Sequence, residues 1–217
     1  MPAPPSPAKL LLMLAACIAL AACEPSPPPS ELYTVDSDAE VPPPIPPAGL
    51  QTTFTIDATT PLLLDLRGST TGDPYALTCA QNELVVGLRG RIDTTVGALG
   101  LVCARMLENG TFANRDERPM IGATTGEEFS SECPQSEAVI AVRGRAATTL
   151  DRIGVRCARV RPWVQMGSPG SIEPSFGGTG GVPFTDTCPP GYFLQGLLGH
   201  AAGTINGSQS LCVPIVT

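Results

Sequence analysis

The 217-residue chain contains one histidine, one tryptophan and only 5% aromatic residues. Because His200 is the only imidazole, a catalytic triad or a histidine metal site has to centre on it, and its alignment with two arginines predicts an exposed turn residue. No Gly-x-Ser-x-Gly, phosphate-loop or dinucleotide motif is present. We therefore predict no catalytic residue, no cofactor and no metal site. An enzyme acting on polysaccharide is the least favoured hypothesis, because no acid/base pair can be named.

Basic charge and helical periodicity are also scarce. The formal net charge is −7, which argues against nucleic acid as a partner, since that would require a basic surface. No stretch after residue 50 holds a 3.6-residue apolar period for three turns, and 23 glycines and 24 prolines interrupt the chain. The Cys-x2-Cys spacing of zinc sites is missing. These absences favour an all-β, disulfide-containing class.

Three copies of one pattern organise the rest of the chain. Cys-x23-Cys occurs three times without a gap, and the first cysteines are 54 and 55 residues apart. A glycine follows inside each copy, at Gly90, Gly144 and Gly199, and an aromatic residue stands four positions before each first cysteine. A fixed period of this kind is typical of repeat architecture. We predict a triplicated domain over residues 51–217, with repeats at about 55–107, 108–161 and 162–217.

Each copy has the alternation of a β-hairpin. Leu84, Val86 and Leu88 would point to one side and Val85 to the other, which is the period of a half-buried strand. A second apolar run follows a turn in each copy. One hairpin cannot bury its apolar face alone. The prediction is therefore three antiparallel sheets around a pseudo-threefold axis, with little helix.

The cysteine pattern predicts disulfides, because an even number of cysteines in an exported chain is typical of them. Two threefold-symmetric pairings remain open. One pairs cysteines across copies, as Cys103–Cys133, Cys157–Cys188 and Cys212–Cys79. The other pairs them within copies, as Cys79–Cys103, Cys133–Cys157 and Cys188–Cys212. We favour the second, because each bridge would then join one local strand pair.

The N-terminus predicts export and a lipid anchor. Residues 10–22 form an apolar run of a length typical of a signal peptide and too short for a membrane span. Leu20-Ala21-Ala22-Cys23 resembles the bacterial lipobox, which implies a signal peptide over residues 1–22 and lipidation of Cys23. Cys17 also fits, with a shorter apolar run, and a plain secretory signal is the other alternative. Glu24 is not the aspartate that retains some lipoproteins, so we expect the outer membrane of a Gram-negative bacterium.

The composition of residues 23–50 predicts a spacer. The segment is rich in proline, has no lysine or arginine, and carries five acidic residues. Such a composition cannot bury enough apolar surface to fold by itself. We predict an extended, acidic linker between the membrane anchor and the repeat domain.

The repeat resembles the vitelline membrane outer layer protein family. The resemblance rests on Cys188-Pro189-Pro190-Gly191, on Cys133-Pro134 in the second copy, on the strand that follows and on the closing cysteine. It covers residues 55–217 and implies a β-prism with internal threefold symmetry. The chain is also similar to repeat-bearing surface lipoproteins of Gram-negative bacteria. Related jacalin-type prisms bind sugars, so the resemblance makes carbohydrate the first ligand class to test.

Charged and aromatic residues give the candidate contacts. Arg89, Arg91, Arg143 and Arg145 suit acidic glycans or phosphates, but salt bridges to the aligned Glu83 and Glu137 are the favoured interpretation. The long segments 106–128 and 160–183 look like functional loops. From them we take Arg115, Arg118 and Trp163 as ligand-binding candidates at one end of the prism. The function hypotheses are a lipid-anchored module for surface glycans or an envelope protein, and a purely structural envelope lipoprotein.

Overall fold

The computed structural model describes residues 52–217, so the predicted signal peptide, Cys23 and the spacer lie outside the described residues. Within that part of the chain there are fifteen β-strands and one short helix. No helix there is long and apolar enough to span a bilayer. In chain order the elements are β1 Thr55–Ile56, β2 Leu62–Leu63, β3 Arg67–Gly68, β4 Asp73–Thr78, β5 Glu83–Ile92, β6 Val96–Met106, β7 Phe112–Glu117, β8 Ile121–Gly122, β9 Glu127–Glu132, β10 Ala138–Ala146, β11 Leu150–Ala158, α1 Val160–Met166, β12 Phe176–Gly177, β13 Val182–Thr187, β14 Tyr192–Ala201 and β15 Ile205–Val216.

The strands form three antiparallel sheets, each built around one long hairpin. The first sheet has the order β7-β6-β5-β9, with β8 also paired to β6, and the second has the order β12-β11-β10-β13. The third has the order β1-β15-β14-β4, with β2 and β3 also on β15, so it joins the two ends of the domain. The all-β class and the three sheets are confirmed. The sheets are offset from the sequence repeats, because each hairpin takes its flanking strands from the segment that leads into the next copy.

The same β-bulge interrupts the first strand of every hairpin. The register of β5 against β6 shifts between Val85 and Gly87, and β10 and β14 shift at the equivalent places. The extra residue in each bulge offers its carbonyl to the backbone N–H of the first cysteine of another copy. These bonds are Cys133 N to Val86 O, 2.8 Å, Cys188 N to Ile140 O, 2.8 Å, and Cys79 N to Gln195 O, 3.0 Å.

The three disulfides pair cysteines within copies, as Cys79–Cys103, Cys133–Cys157 and Cys188–Cys212. They do not join one local strand pair, which corrects the expectation behind that choice. Cys103 lies in β6 of the first sheet, whereas Cys79 directly follows β4 of the third sheet. Since the other two bridges are placed equivalently, each disulfide links two neighbouring sheets.

Apolar residues form two clusters. The central cluster lies between the sheets and includes Val85 and Leu88. The end cluster closes the domain near α1 and includes Leu84, Val86 and Trp163. Leu88 therefore does not share a side with Leu84 and Val86, and the predicted alternation is wrong at this point. The bulge explains the difference, because an inserted residue changes the face to which the following side chains point.

The recurring glycine lies where two strand backbones approach closely. A Cβ atom built on Gly144 would lie 1.9 Å from the carbonyl oxygen of Arg152. The equivalent contacts are 2.1 Å at Gly90 and 2.0 Å at Gly199. Because backbone cannot move aside as a flexible side chain can, only glycine fits this position in each copy.

Candidate functional site: an arginine pocket on the second sheet

The second sheet carries an open pocket of about 580 Å³ on its outer face. A volume of this size suits a small ligand. Its walls come from β10, β11, β13 and the segment before β13. The lining residues are Arg143, Gly144, Arg145, Arg152, Ser175, Thr179, Pro183, Phe184 and Thr185. We call this the arginine pocket.

Strand geometry places the three arginines together. Arg143 and Arg145 are two residues apart in β10, so their side chains leave the same face of the sheet. Arg152 of β11 stands directly opposite Arg145 in the antiparallel register. Like charges at directly opposed positions repel each other. The hairpin therefore places two positively charged residues opposite each other, at an electrostatic cost.

Backbone carbonyls hold all three guanidinium groups in place. Arg143 donates to Glu173 O at 2.8 Å. Arg145 donates to Gly180 O and Gly181 O at 2.7 and 2.8 Å. Arg152 donates to Gly178 O and Gly177 O at 2.8 and 2.7 Å, with a longer bond to Ser175 O. The glycine-rich segment 177–181 thus fixes Arg145 and Arg152, and Glu173 before β12 fixes Arg143, in each case through an uncharged carbonyl group.

Among the described residues, no carboxylate lies within 4 Å of these three guanidinium groups. Asp151 precedes Arg152 in the chain but does not pair with it. The residue is 9% exposed, and its Oδ2 atom is beside Gly181 and has no hydrogen-bond partner in the described part of the chain. The walls of the pocket therefore carry positive charge without a paired acid.

The first sheet has arginines at two of the same positions, but they are neutralised. Arg89 pairs with Glu117, and Arg91 pairs with Glu128. Glu128 stands opposite Arg91 in the register, and Pro183 stands opposite Arg145 at the equivalent place in the second sheet. Whether this arginine has an acidic partner thus depends on one position of the flanking strand, which holds glutamate in the first sheet and proline in the second.

The third arginine belongs to the second copy alone. Where Arg152 stands opposite Arg145, Ala98 stands opposite Arg91 in the first sheet and Gly207 opposite His200 in the third. His200 lies inside β14 and is half-buried, so the prediction that it is an exposed turn residue is wrong. The cationic cluster is therefore restricted to one of the three sheets.

The sequence candidates lie elsewhere and are not free contacts. Trp163 is 5% exposed in the end cluster, and its indole N–H donates to Tyr192 O at 2.8 Å. Trp163 is therefore not an exposed contact for a ligand, because α1 turns its ring into the apolar end of the domain. Arg115 binds Glu132 and the carbonyls of Cys133 and Pro134, and Arg118 pairs with Glu83 and Asp116. None of the three lines the arginine pocket.

Two of the salt-bridge partners also differ from the expectation. Glu83 pairs with Arg118, and Glu137 accepts hydrogen bonds from Ser171. The segments between the copies are not loops throughout, since β7, β8, α1 and β12 lie within them. Gly68, Gly122 and Gly177, each eleven residues before a first cysteine, mark the short strands in these segments. That glycine was the sequence signal that could have extended the alignment and placed the pocket wall.

Solved structures share this architecture. Malaysian banana lectin superposes with a TM-score of 0.52 at 14% identity, over 71% of this chain and 99% of that chain. A mannose-binding jacalin-related lectin from Ananas comosus gives 0.50 at 14% identity, over 71% and 98%. A mannose-binding lectin from Champedak gives 0.50 at 11% identity, over 74% and 100%. The domain is a β-prism. At these identities the likeness establishes the fold of the β-prism alone, and no family model and no curated protein matches the chain.

Proposed function

We propose that this protein is a carbohydrate-binding module displayed on the cell envelope by a lipid anchor. The observation that carries the proposal is a formed pocket of about 580 Å³ on a β-prism, a fold that this chain shares with lectins whose names state mannose binding. The arginine pocket is the proposed site. The module binds its ligand without transforming it.

A glycan array tests the carbohydrate proposal. The full chain, produced in an oxidising compartment so that its three disulfides form, is applied to an array of neutral and acidic glycans. We expect binding to a subset of glycans, and competition by the same glycan free in solution. Uniform absence of binding by a folded protein would overturn the proposal.

The lipid anchor is proposed from the lipobox at Cys23 and from the composition of the spacer. We expect the Cys23→Ala chain to leave the membrane fraction, and the unaltered chain to stay with the outer membrane. A matched Cys17→Ala chain should remain bound. Retention of the Cys23→Ala chain together with release of the Cys17→Ala chain would move the anchor to Cys17.

A role in protein contacts or envelope structure is the second candidate. It is favoured by three exposed leucines beside β15: Leu62 and Leu63 in β2 and Leu66 just before β3, which are 38%, 48% and 36% exposed. An apolar surface of this kind suits a protein contact. If the Leu62→Ser, Leu63→Ser chain loses an envelope partner in cross-linking while a chain altered in the arginine pocket keeps it, this second function is supported.

A further inference from the structure

We infer that the arginine pocket binds an oxyanion group, so that the ligand is an acidic glycan carrying carboxylate, sulfate or phosphate. This inference rests on the proposed carbohydrate function and names the chemical class of its ligand. It joins Arg143, Arg145 and Arg152 of the second sheet into one site. The equivalent places on the other two sheets are excluded.

Nothing in the described part of the chain relieves the repulsion between Arg145 and Arg152. The two residues are directly opposed in the register, and neither has a carboxylate within 4 Å in the described part of the chain. An anion between the two guanidinium groups converts a repulsive pair into two attractive ones. The pocket is therefore more complementary to an anionic ligand than to a neutral one.

Each of the three guanidinium groups has hydrogen-bond donors that the protein does not use. A guanidinium group has five N–H donors. Arg143 uses one of them on the protein, Arg145 uses two and Arg152 uses three. Each group thus keeps at least two donors, which is the number a bidentate contact with an oxyanion requires. The carbonyl contacts fix the orientation of the groups in advance, so that less side-chain freedom is lost on binding.

A fourth arginine nearby, Arg67, differs from these three because it has an acidic partner. Arg67 lies with its guanidinium carbon 5.6 Å from the centre of the Phe184 ring, which lines the pocket. Its charge is already matched, because it donates to both carboxylate oxygens of Asp186. Arg67 thereby holds Phe184 in place, and the three unpaired arginines provide the recognition of charge.

The test compares an acidic sugar with its uncharged form. Oligogalacturonate and its methyl ester share one sugar backbone and differ in the charge of the carboxyl groups. Titration calorimetry of the full chain at low salt is expected to give at least about tenfold tighter binding of the acid, since charge-assisted bonds to guanidinium are worth roughly tenfold to a hundredfold in affinity. Inorganic sulfate should compete, and added salt should weaken the binding. Equal affinity for acid and ester would overturn the inference.

Two variants each add one carboxylate to the pocket without removing an arginine. Pro183→Glu places a carboxylate opposite Arg145, as Glu128 is placed opposite Arg91, and Thr185→Glu does the same opposite Arg143. Each is expected to weaken binding of the acid by on the order of tenfold or more. The matched control is the Arg89→Gln, Arg91→Gln chain, whose binding should equal that of the unaltered protein. Unchanged binding in both glutamate variants, with melting temperatures like the parent's, would overturn the inference.

The failures of the two proposals can be told apart. Binding of neutral glycans alone, unaffected by Pro183→Glu, would leave the carbohydrate function standing and reject the oxyanion site. Binding of sulfate that is lost in Pro183→Glu, with no glycan bound on the array, would support the oxyanion site and reject the carbohydrate function.

Discussion

The outer faces of the first and second sheets start from the same plan and end with opposite electrostatics. Both hairpins carry two arginines at equivalent positions of β5 and β10. In the first sheet, Glu117 and Glu128 neutralise them. In the second sheet, backbone carbonyls hold them, and Arg152 adds a third positive charge. The surface charge has therefore diverged between two copies whose hairpins share the same bulge and the same close approach at glycine.

The interior has not diverged in this way. All three hairpins keep the bulge, the cysteine pair and the glycine at the point of close approach. These features are set by backbone contacts, in which any change meets a carbonyl oxygen or breaks a bridge between sheets. Side chains on the outer face meet solvent, so exchanging them costs little stability. The internal framework therefore repeats where the outer surface specialises.

The largest effect that separates the copies is expected at Trp163. The first copy continues from its hairpin into β7, whereas the second continues into α1, which buries this ring. Trp163→Ala removes a large buried side chain and should lower the free energy of unfolding by about 3 to 5 kcal/mol. Arg115→Ala, in the corresponding segment of the first copy, is the control and should cost about 1 kcal/mol or less. Denaturant unfolding measures both, and equal losses would contradict the difference between the segments.

That contrast shows what a single sequence can predict. The cysteine spacing, the recurring glycine and the alternation in each hairpin predict three antiparallel sheets, because they are local patterns with a fixed period. The end cluster was not predicted, since Trp163 has no counterpart in the other copies and α1 is too short to show a helical period. Only part of the arginine pocket can be predicted from the sequence. The sequence identifies Arg143 and Arg145 as a repeated pair, but their uncharged partners lie in the distant segment 173–181, whose path the sequence does not predict.

The disulfides of the first and second copies should stabilise the domain by equal amounts. Each bridge joins two sheets and closes a loop of 24 residues. Replacing both cysteines by serine should cost about 3 kcal/mol for Cys79–Cys103 and a similar amount for Cys133–Cys157. Chemical unfolding of the two variants, beside the unaltered chain, measures the losses. A loss confined to one copy would mean that the repeated framework is not equivalent in energy.

Tyr75 should make the third sheet sensitive to high pH, because the other two sheets have phenylalanine at this position. It stands where Phe129 and Phe184 stand, and its hydroxyl donates to Gly207 O at 3.0 Å. Burial raises the pKa of Tyr75 to about 12. Because the folded pKa lies above the unfolded value of about 10, this stabilisation is complete below pH 10 and is lost as the pH rises through 12. The loss should amount to roughly 2 to 3 kcal/mol.

Tyr75→Phe provides the control for that prediction. The variant has no hydroxyl to ionise, so its free energy of unfolding should fall less steeply between pH 10 and pH 12 than that of the parent. Near neutral pH it should be less stable by about 1 kcal/mol, the usual value of one hydrogen bond. Parallel pH profiles for the two proteins would show that the ring does not titrate as argued.

The smallest change in stability, and the sharpest test of the two outer faces, comes from freeing the arginines of the first sheet. Glu117→Gln with Glu128→Gln removes both carboxylates and leaves Arg89 and Arg91 in place. Since such ion pairs are largely exposed, stability should change by about 1 kcal/mol or less. We expect the variant to bind two molecules of an acidic oligosaccharide in titration calorimetry, where the parent binds one. The new site should be the weaker, because Ala98 stands where Arg152 supplies the third charge. A stoichiometry that stays at one would mean that two arginines do not suffice and that Arg152 decides the difference between the sheets.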